Sequence, residues 1–426
     1  MSLMSKFKKN TTDASKFGAR QVNSCMRTGF PTFDYFNGNF SVDVINNTKQ
    51  LNLGINAGKP ILISGPTSSG KSTFAYQLAI NMTMPYENSG IIVLDTENAF
   101  NDQRFLSMPG MTAQWYADNV DVRNGVIYSE TLMELGLELY NTKKEMADEL
   151  LIDDPNGIVD PVTGKVAKIY TPTVIILDSL AFLLPKDFAD TEDAELNGLT
   201  MAGRVSLING QIFKRLIPLF REVNINLITV QHLSTAFSPN GMPKAPVVKG
   251  LKTDEHIAGG KAVTYISDTL LVVALKERLE KDKANNPFKN IEGYMAEFRM
   301  LKSRNSPAGR TFSLVYSQVN GFDPVASMFM DLKNAGKLEG TSVYKLPNCD
   351  VKFRASNFVE LFNTNETFRN AVYEAYNAYG IEQIQVSENM KSLIVNEENI
   401  NEVMQQEVDD LAQESNVVDD LEKEIQ

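Results

Sequence analysis

The octet Gly65-Pro66-Thr67-Ser68-Ser69-Gly70-Lys71-Ser72 constrains this chain more than any other feature. It matches G-x-x-x-x-G-K-[ST] and stands between an apolar run at 60–64 and an amphipathic segment at 71–82. A strand, a glycine-rich turn and a helix in that order make a phosphate cradle. The glycines let backbone N–H groups wrap a β-phosphate, and the helix N-terminus adds partial positive charge. Lys71 then reaches the β/γ-phosphates, Ser72 can ligate Mg²⁺, and Thr73 completes the cofactor-binding positions. An ordinary glycine-rich turn is the competing reading, and the strand–helix context argues against it.

The rest of the chain supplies neighbours for such a turn. Apolar runs at 91–95, 173–178, 226–231 and 269–275 predict strands, while 132–151 and 200–222 predict helices. Apolar strands alternating with helices indicate an α/β fold: a mainly parallel central sheet with helices on both faces. Segments 295–301 and 311–316 read as a later strand pair joined by 302–310. Segments 357–362 and 366–379 predict helices of a small C-terminal module. Residues 27–56 form a lead-in with Gly and Asn turn signals, and 153–170 a surface excursion. The expected organisation is a basic N-terminal arm and lead-in at 1–45 and a core holding the phosphate cradle at 46–330. A small C-terminal module at 331–396 and an acidic disordered tail at 397–426 follow.

Two further strand ends carry acids. The run 173–177 closes on Asp178, which reads as a Walker B strand holding Mg²⁺ through water; a helix-capping Asp is the alternative. The run 91–94 closes on Asp95-Thr96-Glu97. If that strand neighbours the one feeding the octet, Glu97 lies beside the phosphates and can deprotonate an attacking water. A salt-bridged or capping acid is the alternative.

The net charge of −12 argues at first against a polyanion partner. Its distribution changes that. Residues 397–426 hold eleven acids and one base, Lys423, which leaves 1–396 close to neutral. Residues 1–27 hold six bases and one acid, with Lys6, Lys8 and Lys9 among them. Cys25 and Cys349 lie too far apart in sequence for a disulfide framework or a four-cysteine zinc site. No apolar run reaches the length of a membrane span, and the first residues lack a secretory pattern, so a cytoplasmic location is expected.

These pieces resemble the RecA family of recombinases, and most closely its UvsX branch from tailed bacteriophages. The resemblance runs over about 27–379. GPTSSGKS resembles the family's phosphate loop, LDTENAFN the strand bearing its catalytic glutamate (Glu97), and ILDSLAFL its Walker B strand. Ile228-Thr229-Val230-Gln231-His232 resembles the strand whose end senses the γ-phosphate, a role that falls on His232 with Gln231 before it. Lys302-Ser303-Arg304 matches a Lys-Ser-Arg of the phage branch, so Lys302 and Arg304 take the place of two cations that reach a neighbouring subunit's ATP. FVELFNTNETFRNAV, at 358–372, resembles a C-terminal segment of that branch. The family's adenine-stacking aromatic maps onto Arg104; either its guanidinium stacks on the base or Phe105 takes over.

The resemblance also makes 185–199 the first DNA loop, although Asp187, Asp190, Glu192, Asp193 and Glu195 make it acidic, with Arg204 as the nearest useful cation. The stretch 233–258, starting directly after His232, is a better candidate. Pro239, Gly241, Pro243, Pro246 and Gly250 keep it out of regular structure, and Lys244, Lys249, Lys252 and His256 can meet phosphates. Gly259-Gly260-Lys261 resembles the end of the second DNA-binding loop. The resemblance implies a RecA-like P-loop ATPase using ATP and Mg²⁺. It would form helical filaments of its own copies on single-stranded DNA and catalyse homologous pairing and strand exchange with duplex DNA. Such work serves recombination, repair and recombination-dependent replication, in a bacterial host's cytoplasm if the source is a phage. A single-strand-binding protein and a loading mediator are further implied partners. The alternatives are a hexameric DNA helicase of the same core fold and a non-catalytic recombination mediator.

Overall fold

A computed structural model of the chain describes residues 24–43, 48–160, 165–186, 198–235, 248, 250–252, 255–257, 261–281, 283, 286–289 and 291–389. The basic arm before Ser24 and the acidic tail therefore lie outside the described residues. So do most of 185–199, Lys244, Lys249, Gly259 and Gly260.

The central sheet is built from β1 (Ile61–Gly65), β2 (Gly90–Asp95), β3 (Val120–Asn124), β4 (Thr173–Asp178), β5 (Ile225–Thr235), β6 (Glu255–Ile257), β7 (Thr269–Leu279), β8 (Gly293–Lys302), β9 (Arg310–Ser317) and β10 (Gly321–Asp323). Their spatial order is β10-β9-β8-β7-β1-β5-β4-β2-β3, with β6 folded back on the end of β5. From β7 through β3 every neighbouring pair is parallel. The pairs β7–β8, β8–β9, β9–β10 and β5–β6 are antiparallel. The chain is thus an α/β protein with a mainly parallel sheet.

Both faces are covered, and alternation along each strand decides which side chain goes where. Ile61, Ile63, Ile91, Val93, Val174, Ile176, Ile228 and Val230 join one core cluster. It is completed by Phe74, Ala75, Leu78 and Met82 of helix α1 (Lys71–Thr83) and by Phe30 and Phe33. Leu62, Leu94, Ile175, Leu177 and Leu227 point the other way. They meet Leu132 and Leu135 of α2 (Ser129–Glu145) and Phe213, Leu216 and Phe220 of α3 (Gly198–Glu222). Each such side chain contributes about 1.5–3 kcal/mol when fully buried, so the inner strands read as unbroken apolar runs. Gly136 lets α2 and α3 close together, since a Cβ there would lie 2.8 Å from a Leu216 methyl.

After a short helix α4 (Lys261–Ile266), the chain adds α5 (Pro324–Asn334), α6 (Ala355–Thr364) and α7 (Glu366–Asn389). Phe329, Phe353, Phe358, Phe368 and Tyr376 form a third cluster among them. The lead-in is more ordered than turn signals suggest. Pro31–Phe36 is a helix whose Thr32 donates to Asp331 of α5, and Tyr376 of α7 donates to the same carboxylate. Asn39–Asp43 and Thr48–Asn52 form a hairpin. The excursion 153–170 is closed at its base by a second hairpin, Leu151–Asp153 with Lys168–Tyr170. No helix among the described residues is long and apolar enough to cross a membrane.

One buried cation makes the core pH-sensitive. Lys143 on α2 is 3% exposed, and its Nζ donates to the Thr171 carbonyl at 2.6 Å and to Thr173 Oγ1 at 2.9 Å. Burial pushes its ammonium down to about 7. In the unfolded chain a lysine holds its proton to about pH 10.4. Between these values the unfolded state binds the extra proton, so stability rises with pH through that window and is flat below it. Denaturant unfolding at about pH 6.5 and about pH 9.5 should show the wild type gaining on Lys143→Met at the higher pH. Equal gains in both proteins would mean that Lys143 stays charged when folded.

Candidate active site at the carboxyl edge of the sheet

All the parallel strands point the same way, so the residues that follow them gather on one edge, where open α/β sheets present their crevices. β1 ends at Gly65 and the octet turns into α1 with Ser68 at φ 59° and the helix N-cap Gly70 at φ 85°. A Cβ on Gly65 would lie 2.4 Å from the Val273 carbonyl oxygen of β7, so only glycine fits. Lys71 is 6% exposed and its Nζ donates to the Pro66 carbonyl at 2.7 Å, inside the octet itself. Burial pulls its ammonium below the usual lysine range, against the pull of Asp178 and Glu97. Thr73 packs toward Gly321, and Gln77 of α1 bonds both the N–H and the carbonyl of Phe322, fixing β10 to the helix.

Asp178 ends β4 beside this turn. Burial raises its carboxyl above the usual range, the Ser72 hydroxyl hydrogen bond lowers it, and the Glu97 and Asp95 charges raise it further. Ser72 and Asp178, the two expected metal positions, are therefore in contact. The peptide bond from Asp178 to Ser179 is cis. Thr96 holds this segment to the end of β2: its hydroxyl accepts from the Ser179 N–H at 2.8 Å and donates to the Ser179 carbonyl at 2.7 Å. Asp95 accepts from the N–H groups of Ala99 and Phe100 and so shapes the turn bearing Glu97.

The structure departs from the sequence reading in three places. The strand carrying Glu97 is not next to β1, because β5 and β4 lie between them. Glu97 reaches the site from beyond the end of β2, and its Oε1 lies 3.2 Å from Nε2 of His232. His232 is not at a strand end. It pairs with Gly65 at the mouth of the octet, β5 runs on to Thr235, and Glu255–Ile257 returns antiparallel to it. The segment expected as a loop from 233 is thus regular at both ends, because backbone pairing continues past His232. Its return strand is clamped by Arg299, whose Nη2 meets both Glu255 carboxylate oxygens at 2.7 and 2.9 Å. Finally, Phe105 is fully buried against Tyr76, Phe100 and Tyr116, so it cannot stack on a base.

Arg104 stands elsewhere, donating to the Gln318 carbonyl at 2.7 Å and to the Tyr316 hydroxyl at 3.2 Å. Tyr316 lies over the octet, 3.6 Å from where a Gly70 Cβ would be. Lys302 and Arg304 are at the opposite edge. Lys302 pairs with Leu270, which is level with Leu62 near the start of β1. Its Nζ donates to the Thr264 and Tyr265 carbonyls at the end of α4, and Arg304 faces Asp268 at 3.5 Å. Arg204 is exposed on α3, Lys252 is exposed beside the return strand, and Lys261 opens α4.

The residues present fit a phosphate chain with a divalent cation. Ser69, Ser179 and Gln231 carry buried polar side-chain atoms that have no hydrogen-bond partner, including both amide atoms of Gln231. All three lie on the octet, directly after Asp178 or directly before His232. Buried groups of this kind are costly unless a ligand or water completes them. Thr96, Asp95 and Tyr316 were missed by sequence reading. The polar triplet Asp95-Thr96-Glu97 after an apolar run was a usable signal for the first two. Tyr316 had none, since it arrives from more than two hundred residues away.

Replacing Thr96 by Val should lower stability by about 1–3 kcal/mol, because the Ser179 N–H and carbonyl each lose a partner in a buried segment. Chemical denaturation measures this; an unchanged midpoint would mean that water replaces the threonine.

No protein-family model matches the chain. It is similar to the DNA repair and recombination protein RadA of Methanocorpusculum labreanum (strain ATCC 43576 / DSM 4855 / Z), at 27% identity over 191 residues. The match covers 43% of this chain and 53% of RadA, so the chain spans about half the length of that curated relative. With a mainly parallel α/β sheet, this distant, partial similarity supports a RecA-type relationship and does not select a branch of it.

Proposed function

We propose that the chain is a Mg²⁺-dependent, DNA-stimulated ATPase that assembles as a helical filament on single-stranded DNA and performs homologous pairing and strand exchange, in the manner of the phage UvsX branch. One arrangement carries this reading: Lys71, Ser72, Asp178, Glu97 and His232 meet at one sheet edge while Lys302 and Arg304 stand at the other. A site divided in that way is completed by a second copy. The similarity to RadA, a protein named for DNA repair and recombination, points to the same class of work.

On this reading the N–H groups of Gly65 to Thr73 cradle the phosphates of ATP, and Lys71 leaves the Pro66 carbonyl to neutralise the terminal pair. Mg²⁺, held by Ser72 and Asp178, would supply Lewis-acid stabilisation of the charge that develops on the phosphates. Glu97 accepts a proton from the water that attacks the terminal phosphorus. His232, now on Glu97, turns to the γ-phosphate, which releases the base and pulls on β5. Because β5 leads straight into the expected DNA loop at 233–258, nucleotide state and DNA affinity become linked. The base lies against Arg104 and Tyr316. Lys302 and Arg304 reach the neighbour's phosphates, as an arginine finger does. DNA phosphates are met by Arg204, Lys244, Lys249, Lys252 and Lys261, with Gly259 and Gly260 allowing close approach. The arm and lead-in at 1–45 serve assembly, and the acidic tail 397–426 competes with DNA for the same cations.

Lys71→Ala should abolish DNA-stimulated hydrolysis. Glu97→Gln should keep nucleotide binding and filaments but hydrolyse about 10²–10⁴-fold more slowly. Hydrolysis assays with and without single-stranded DNA, with electron microscopy of each protein, check both. Near-normal turnover in Glu97→Gln rejects the general base, and rings instead of filaments reject the assembly.

A further inference from the structure

On the edge of the sheet away from the octet there is a cavity of about 210 Å³. Ser24, Asn56, Lys59, Lys168, Arg221 and Asn224 are among its walls. It lies between the turn that precedes β1, the end of α3 and the hairpin that closes the 153–170 excursion. Most of the charges around it are already matched. Lys168 holds Asp153 at 2.7 Å, and Glu222 takes Lys144 at 2.7 Å and the Tyr140 hydroxyl at 2.9 Å. Asp160 and Arg221 have interactions of their own. Asp268, just beyond the wall, accepts from Asn56 at 2.8 Å and faces Arg304.

Two groups are left over. The Ser24 hydroxyl is buried and has no hydrogen-bond partner. Lys59 is half-buried with no acceptor at bonding distance among the described residues. Burial and the nearby Arg221 and Arg304 charges hold its ammonium below the usual lysine range, and Asp268 offsets this only in part. The cavity therefore has a surplus of positive charge and an unused hydroxyl, which an anion with several acceptor oxygens would satisfy together. A zwitterion would need a surplus acid, and both wall carboxylates are engaged.

We propose that this cavity binds a phosphate dianion, free or as the terminal group of a small phosphate monoester, with Lys59 supplying the charge and Ser24 a hydrogen bond. The cavity is separate from the octet, although Arg304, assigned above to a neighbour's phosphates, acts on Lys59, and the proposal stands whether or not the chain is a recombinase.

Full-length Lys71→Ala protein, with its octet disabled, is titrated calorimetrically with inorganic phosphate and with ribose 5-phosphate. Saturable binding is expected for both probes. Adding Lys59→Ala should weaken it about tenfold or more, while Lys59→Arg should retain most of it. Thermal unfolding of each variant separates loss of the site from loss of the fold. No saturable binding in the Lys71→Ala protein, or equal binding after Lys59→Ala in a folded protein, overturns the proposal. An oligonucleotide lacking terminal phosphates should not displace the bound phosphate; efficient displacement would overturn the small-ligand assignment in favour of a phosphodiester backbone.

Discussion

The parallel pairing of β1 with β5 on one side and β7 on the other is the constraint on which the rest depends. It fixes the carboxyl end of β1 in the middle of the sheet, so the octet opens between two strands that cannot move apart. The same pairing sets His232 level with Gly65, and the pairing of β4 with β2 sets Asp178 level with Asp95. None of these residues is close to another in sequence. Register, with the turns that follow β1 and β2, brings a lysine, a serine, two acids and a histidine to one crevice.

That convergence has an electrostatic cost. Lys71 and Asp178 are both buried, and burial shifts each toward its neutral form. Glu97 and Asp95 add negative charge beside Asp178, which raises its carboxyl further. The Ser72 hydroxyl hydrogen bond and the Lys71 charge offset part of this at Asp178. A divalent cation would stabilise the acids, and phosphates would stabilise the lysine. The unpartnered polar atoms of Ser69, Ser179 and Gln231 fit the same picture of a site organised for a ligand.

Much of this was legible from the sequence, and for physical reasons. The strand at 173–178 and the start of the helix at Lys71 came out at the residue, because a fully buried strand is a bounded apolar run and a glycine turn marks a helix start. Pairing order was not legible. The apolar run ending in Glu97 carries no mark of which strands will flank it, and the condition that it neighbour β1 is not met. The extension of β5 past His232 was missed because Leu233, Ser234 and Thr235 look like a loop until Glu255–Ile257 pairs with them. The resemblance named Arg104 but not its partner Tyr316, since nothing local to either residue signals the other.

The proposed division of the site between two edges of the sheet is tested most directly by mixing. Arg304→Ala and Glu97→Gln subunits are each assayed alone for DNA-stimulated hydrolysis, then together at equal concentration. If ATP lies between copies, some interfaces in the mixture join an intact Glu97 to an intact Arg304, and hydrolysis rises clearly above the sum of the two separate activities. A mixture no more active than that sum, formed from variants that both still assemble on DNA, would contradict a shared site.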